Sequence, residues 1–153
     1  LREKQKLKRM MMMTETPLQK AMADASRSPG NSAAVLLATL ETRLDNVVRR
    51  IGFATSVNTA RQLVGHGHIR VDGKPVDIPS FGVRVGQEVS LAPGLKDNVG
   101  VKLALEFAEK KTNRPAYLSF DAEKLVGKLV RQPGREESSF PVNDRLIVEY
   151  YSR

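Results

Sequence analysis

NVVRRIGFATSVNTARQLVGHGHIRV, residues 46–71, decides how this chain reads. Val47, Val48 and Ile51 continue an apolar helical stripe that Gly52 is placed to end, because glycine takes the left-handed conformation of a helix C-cap without strain. Ser56 can accept a hydrogen bond from the first turn of a second helix, whose Ala60, Leu63 and Val64 face inward. Gly65 to Gly67 turn the chain, and Ile69-Arg70-Val71 begins a strand. Arginine stands at 49, 50, 61 and 70 and histidine at 66 and 68, with no carboxylate in the stretch. Protein surfaces ordinarily intersperse both signs, so a helix–turn–helix–loop–strand platform cleared of negative charge suits a polyanionic partner.

Upstream, Leu36, Leu37, Leu40 and Leu44 join Val47, Val48 and Ile51 at three- and four-residue steps. The spacing predicts one long amphipathic helix from a cap at Ser32 to Gly52, with Asp45 and Arg49 as an i,i+4 ion pair. Thr14 is placed to cap an earlier helix that runs to about Ala25, before Ser28-Pro29-Gly30 breaks the chain. Downstream, Asp72-Gly73 is a hairpin signal, and Pro75 restricts the return strand to an edge or a short piece. Gly86 precedes a strand over Val89 to Leu91, and Asp97 to Lys111 is helical with Val101, Leu105 and Ala108 on one face. Tyr117 to Phe120 and Val126 to Val130 alternate as short strands, and residues 133–139 form a loop. Asn143 can cap a last helix, although the β-branched residues that follow suit a strand equally well.

The chain has 153 residues, enough for one domain or two small ones. Its 25 Lys+Arg against 17 Asp+Glu give a net charge of +8, the electrostatic footprint of a nucleic-acid binder. Two segments carry the excess. Residues 1–9 hold Arg2, Lys4, Lys6, Lys8 and Arg9 against Glu3 alone. Residues 43–84 hold Arg43, Arg49, Arg50, Arg61, Arg70, Lys74 and Arg84 against Asp45, Asp72 and Asp77. A membrane is the weaker partner, because no apolar run approaches the roughly 20 residues of a spanning helix. With no cysteine, disulfides and thiolate metal sites are excluded. The chain begins at Leu1 rather than methionine, which is expected of a fragment or a processed chain, and its basic start lacks the apolar core of a signal peptide.

Arg43, Asn46 and Arg50 share one face of the first platform helix by spacing, and Asn58 and Arg61, with Gln62 beside them, share a face of the second. Arginine's planar fork matches phosphate, and its flat face stacks on unpaired bases. His66 and His68 offer two of the three or four ligands a metal site needs, so loop histidines that bond backbone or RNA are the simpler reading. The glycines around His66, Gly67 among them, permit positive φ and a close backbone approach to a phosphate. The N-terminal basic run is either a helix with Arg2, Lys6 and Arg9 on one side or a solvated tail. No nucleophile motif, Gly-rich phosphate loop or partnered carboxylate pair is recognisable.

The segment RLDNVVRRIGFATSVNTARQLVGHGHIRVDGKPVDIPS, residues 43–80, resembles the helix–loop–strand RNA-binding module named after the ribosomal protein S-four family. LREKQKLKR at 1–9, DAEKLVGKLVRQPGREE at 121–137 and PVNDRLIVEYYSR at 141–153 resemble the bacterial-type ribosomal family itself, so the likeness spans nearly the whole chain. Members commonly carry a basic residue at the position of Val57, often another at Asn58, and an aromatic at Arg49; here basic charge has moved from the second helix to the first. The family's own N-terminal segment, very basic and in some members a zinc knuckle, would precede Leu1.

The resemblance implies an α+β protein: a helical domain from residues 1–42 with 142–153, and an inserted domain at 43–141 with a small, mainly antiparallel sheet. The module itself would occupy about 43–104. It implies a non-enzymatic constituent of the small ribosomal subunit that binds small-subunit rRNA early in assembly. Expected neighbours are ribosomal proteins S-five and S-three and the mRNA near the channel mouth, with an effect on decoding accuracy and, in some members, repression of the protein's own mRNA. The expected location is cytoplasmic or an organelle ribosome, with no cofactor in this segment and no membrane. RNA contacts are expected from Arg2, Lys4, Lys6, Lys8, Arg9, Arg43, Arg49, Arg50, Asn58, Arg61, Gln62, His66, Gly67, His68, Arg70 and Lys74. A stand-alone RNA-binding stress factor, or an RNA-modifying enzyme that borrows the module, are the alternatives; the enzyme would need a separate catalytic domain.

Overall fold

A computed structural model describes residues 2–11, 15–27, 32–111 and 114–134. Two compact units divide the chain: Leu1–Glu41 with Pro133–Arg153, and Thr42–Gln132.

The described part of the first unit is helical. Its elements are α1 (Arg2–Met11), α2 (Glu15–Arg27) and α3 (Ser32–Glu41). The basic N-terminal run is thus a helix rather than a tail. Leu18, Met22 and Ala25 of α2 meet Leu36 and Leu40 of α3 in a small core, with Met10, Ala21 and Val35 packed against it. The final segment, including the expected cap at Asn143, lies outside the described residues.

The second unit runs α4 (Leu44–Ile51), α5 (Val57–Gly65), β1 (Ile69–Val71), β2 (Lys74–Pro75), β3 (Glu88–Leu91), α6 (Val99–Lys111), β4 (Leu118–Asp121) and β5 (Val126–Leu129). The strands form one sheet in the order β2-β1-β3-β5-β4, every neighbouring pair antiparallel. Asp72 at φ 51° and Gly73 at φ 80° make the tight turn that the Asp-Gly signal predicts. Ile69, Val71, Val89, Leu91, Leu118 and Leu129 point to one side, into a core completed by Leu44, Val47, Val48 and Ile51 of α4 and Ala60 and Val64 of α5. Helix and sheet approach closely at Gly127, where an added Cβ would collide with the Ile51 side chain.

The long helix expected from Ser32 to Gly52 is two helices. The chain breaks at Thr42 and Arg43, and Arg43 is extended at φ −60°, ψ 143°. There it pairs as a β-bridge with Gly82, while the Val83 N–H donates to the Thr42 carbonyl at 2.9 Å. The Leu44 N–H donates to Phe81 O at 2.8 Å, and the Asp45 N–H to Pro79 O at 3.1 Å. A helix running through would bond those amides within itself, so the carbonyls of the 79–83 loop satisfy them instead. Heptad-like spacing could not report a competitor that lies almost forty residues away.

Both platform helices end in the same motif. Gly52, at φ 110°, donates to Arg49 O while Phe53 N–H reaches Val48 O; Gly67, at φ 79°, donates to Val64 O while His68 N–H reaches Leu63 O. Each is the paired hydrogen bonding of a Schellman cap. Gly52 has a second reason to be glycine: an added Cβ would lie 2.7 Å from Ala108 Cβ on α6. Gly67 meets nothing within 4 Å, so its requirement is conformational alone. At the other end of α5, Ser56 Oγ accepts from Thr59 N–H at 3.1 Å, as expected of the N-cap.

Candidate nucleic-acid interface

Asp45 organises the arginines. Its carboxylate is fully buried at 0% exposure and accepts from four donors. Arg43 binds it through Nε at 3.2 Å and a terminal nitrogen at 3.1 Å, Arg61 through Nε at 2.9 Å, and the Asn46 N–H at 2.7 Å. The expected Asp45–Arg49 pair therefore does not form; Arg49 donates to Asn46 Oδ1 at 2.7 Å. The correction follows from the new helix start at Leu44: Asp45 sits in the first turn of α4, where its charge meets the helix dipole and the guanidiniums that flank that end. One buried carboxylate is thus shared by two guanidiniums. Arg43 and Arg61 side chains keep 13% and 22% exposure, the part that can meet a partner.

Asn46 is buried rather than displayed on an open face, and it links the Asp45 cluster to Arg49. Asn58 lies one turn before Arg61 and Gln62 directly after it, both exposed. The structure thus joins Arg43 and Arg61 through Asp45, with Asn58 and Gln62 next to Arg61 on α5, while Arg49, tied to the cluster through Asn46, borders a recess against α6 with Arg50. Arg50 is directed to the α6 and β4 side, its Nε 3.5 Å from Tyr117 Oη. At the end of α5, His66 and Gly67 are exposed and His68 half-buried, with the two imidazole centroids 6.2 Å apart. Among the described residues no three His, Cys, Asp or Glu side chains gather as metal ligands.

The remaining expected residues lie elsewhere. Arg70 alternates with the core-facing Ile69 and Val71, so it stands on the opposite face of the sheet from α4 and α5. Lys74 is exposed at the hairpin. Arg2, Lys4, Lys6, Lys8 and Arg9 are on α1 in the other unit. Arg2, Lys6 and Arg9 are exposed and Lys8 half-buried, but Lys4 retains only 7% exposure, which removes it from the solvent-facing row. The acid-free stretch is therefore not one arginine plane. Its residues divide between the α4–α5 surface, the α6 side and the back of the sheet.

The parts played by two residues escaped the sequence reading, which paired Asp45 with Arg49 and did not single out Arg114. Asp45 lies just outside the acid-free stretch, yet it holds two of the platform's arginines in place. Arg114 donates from Nε to Ile51 O at 2.6 Å and from a terminal nitrogen to Glu109 at 2.6 Å, with its guanidinium 4.0 Å above the Phe120 ring. It satisfies a carbonyl at the C-terminal end of α4 from 63 residues away. No local pattern marks such a partner.

Two helices with hidden acid, exposed donors and a loop leading into a strand define the class of a helix–loop–strand nucleic-acid-binding module. Residues 42–89 match the S4 domain family. Over the whole chain, the protein is 46% identical to the small ribosomal subunit protein uS4 of Acidobacterium capsulatum, covering 73% of that relative. It is 44% identical over its whole length to the uS4 of Thermus thermophilus, again covering 73% of it. Against the uS4 of Limosilactobacillus reuteri it is 47% identical and covers 75%. The chain belongs to the uS4 family of small ribosomal subunit proteins, which are structural components and not enzymes.

Proposed function

We propose that this chain is a primary binder of small-subunit rRNA, gripping the backbone through the exposed donors of α4 and α5 and through Arg2, Lys6, Lys8 and Arg9 of α1. The observation that carries this reading is the Asp45 cluster: one buried carboxylate shared by Arg43 and Arg61 fixes both guanidiniums where each keeps part of its surface exposed. Asn58, Gln62, His66 and the loop amide of Gly67 add donors suited to phosphate oxygens and ribose hydroxyls. Arg70 and Lys74 serve a second, separate contact. His66 and His68 act as hydrogen-bonding groups, with no cofactor in the segment.

Family membership supports a finer role. We place the chain at a multi-helix junction of the 5′ domain, nucleating assembly beside ribosomal proteins S-five and S-three near the mRNA, where it supports decoding accuracy. Repression of its own mRNA would use the same surface, since both ligands are folded RNA. The working location is the cytoplasmic small subunit.

Filter binding of the chain to transcribed small-subunit rRNA over a salt series tests the reading. Affinity should fall linearly in log–log form with salt, with a slope of roughly −0.7 to −0.9 per phosphate neutralised. The reading is lost if a transcript of scrambled sequence binds as tightly at every salt concentration.

A further inference from the structure

α6 carries an apolar stripe that its own unit leaves uncovered. Val99, Leu103 and Phe107, four residues apart, are 70%, 60% and 50% exposed, while Val101, Ala104 and Ala108 on the other side of the helix are buried. Beside the stripe lies a recess of ≈ 350 Å³ between α6 and the start of α5, bordered by Leu103, Phe107, Phe53 and Leu63 with the Thr55 and Thr59 side chains at its lip. A second recess adjoins it, sharing Thr55 and Phe107 and bordered by Arg49 and Arg50. Among the described residues that line them, neither recess has a carboxylate. Phe107 therefore stands at the boundary of an apolar slot and an arginine-bearing one.

Three exposed large apolar residues in a row on a charged protein mark an interaction site. The composition of the walls selects its occupant. An apolar peptide would leave Arg49 and Arg50 unused, and a second copy of this chain would bring a net charge of +8 against them. An unpaired nucleotide uses both halves: its base stacks on an aromatic or inserts among apolar side chains, and its phosphate meets guanidinium. Thr55 and Thr59 can donate to or accept from a base edge.

We infer that the α6–α5 recess receives one extruded, unpaired base of the bound RNA, stacked on Phe107, with an adjacent phosphate against Arg49 and Arg50. This rests on the proposed rRNA binding and deepens it, adding base recognition to a backbone contact. Arg49 and Arg50 thereby belong to a different subsite from Arg43 and Arg61. Such an arrangement makes binding depend on a single-stranded position in the RNA as well as on its charge.

The chain contains no tryptophan, so Phe107→Trp installs a lone indole at the proposed stacking position. Titrating this variant with transcribed small-subunit rRNA should quench its emission in step with binding. Phe107→Ala should lower affinity roughly tenfold or more, the loss of one base–aromatic stack, while the salt slope stays at the wild-type value. Phe107→Leu, which keeps apolar bulk without an aromatic face, should weaken binding as well. Because Phe107 is half exposed, unchanged urea midpoints for these variants will confirm folding. If the wild type binds rRNA but emission is unmoved, or Phe107→Ala and Phe107→Leu bind within twofold of it, the base site is overturned and backbone binding stands. A wild-type chain that sediments as a dimer, made monomeric by Phe107→Ala, also overturns it. If the wild type shows no specific rRNA binding, the proposed function itself has failed.

Discussion

Arg61 Nε donates to Asp45 Oδ2 at 2.9 Å, tying the middle of α5 to the first turn of α4 across 16 residues. The same carboxylate holds Arg43. The cluster is thus stabilised by the charge it conceals, and under the proposed function a guanidinium there serves the fold and the partner at once. That dual role shapes how substitutions should behave.

Removing the carboxylate strands two positive groups. Asp45→Ala should cost about 2–4 kcal/mol, somewhat less than a fully buried pair because both guanidiniums keep some contact with water. The midpoint of urea unfolding measures it, and an unchanged midpoint would show that Asp45 holds nothing. Asp45→Asn should fall between, retaining an acceptor but not the charge.

Arg61→Ala should destabilise less, since Arg43 and the Asn46 N–H still hold Asp45. We expect a loss of about 1–2 kcal/mol in stability, together with a shallower salt slope for rRNA binding. An affinity and slope equal to wild type would assign Arg61 to the fold alone.

Asn58→Ala and Gln62→Ala separate the two roles from the other direction. Both side chains are exposed, so stability should change by no more than about 0.5 kcal/mol. Affinity for rRNA should nonetheless fall several-fold in a filter assay. Wild-type affinity in the double variant would remove this part of α5 from the interface.

The two capping glycines make a matched comparison. Gly67→Ala should cost about 1–2 kcal/mol, the strain of a left-handed residue with a side chain in open space. Gly52→Ala carries the same strain and adds the collision with Ala108, so it should cost clearly more. Equal losses in thermal unfolding would show that α6 moves aside freely.

At Gly127 the obstacle is a side chain rather than a conformation. Gly127→Ala should destabilise by about 1–3 kcal/mol through overpacking against Ile51. Trimming the neighbour, in Gly127→Ala with Ile51→Val, should recover part of the loss. An additive double variant would place the strain elsewhere.

Local signals were strong enough to be read directly wherever a residue's own chemistry decided its backbone. Ser56 caps α5, Gly52 and Gly67 end their helices, Asp72-Gly73 turns a hairpin, and alternating apolar residues form β1 and β3. Antiparallel pairing of β1 with β2 followed from the Asp72-Gly73 turn, and Pro75 kept β2 short. What the sequence by itself determined, then, was the set of elements in this second unit, their class and the positive excess. Tertiary structure decided where α4 begins, because carbonyls of Pro79 and Phe81 outcompete the helix for the amides of Leu44 and Asp45. It also decided which arginine Asp45 holds and which face Arg70 and Arg50 meet. Spacing reports neighbours along the chain, whereas these partners were chosen by which unsatisfied donors and acceptors the fold brought within 3 Å or so of one another.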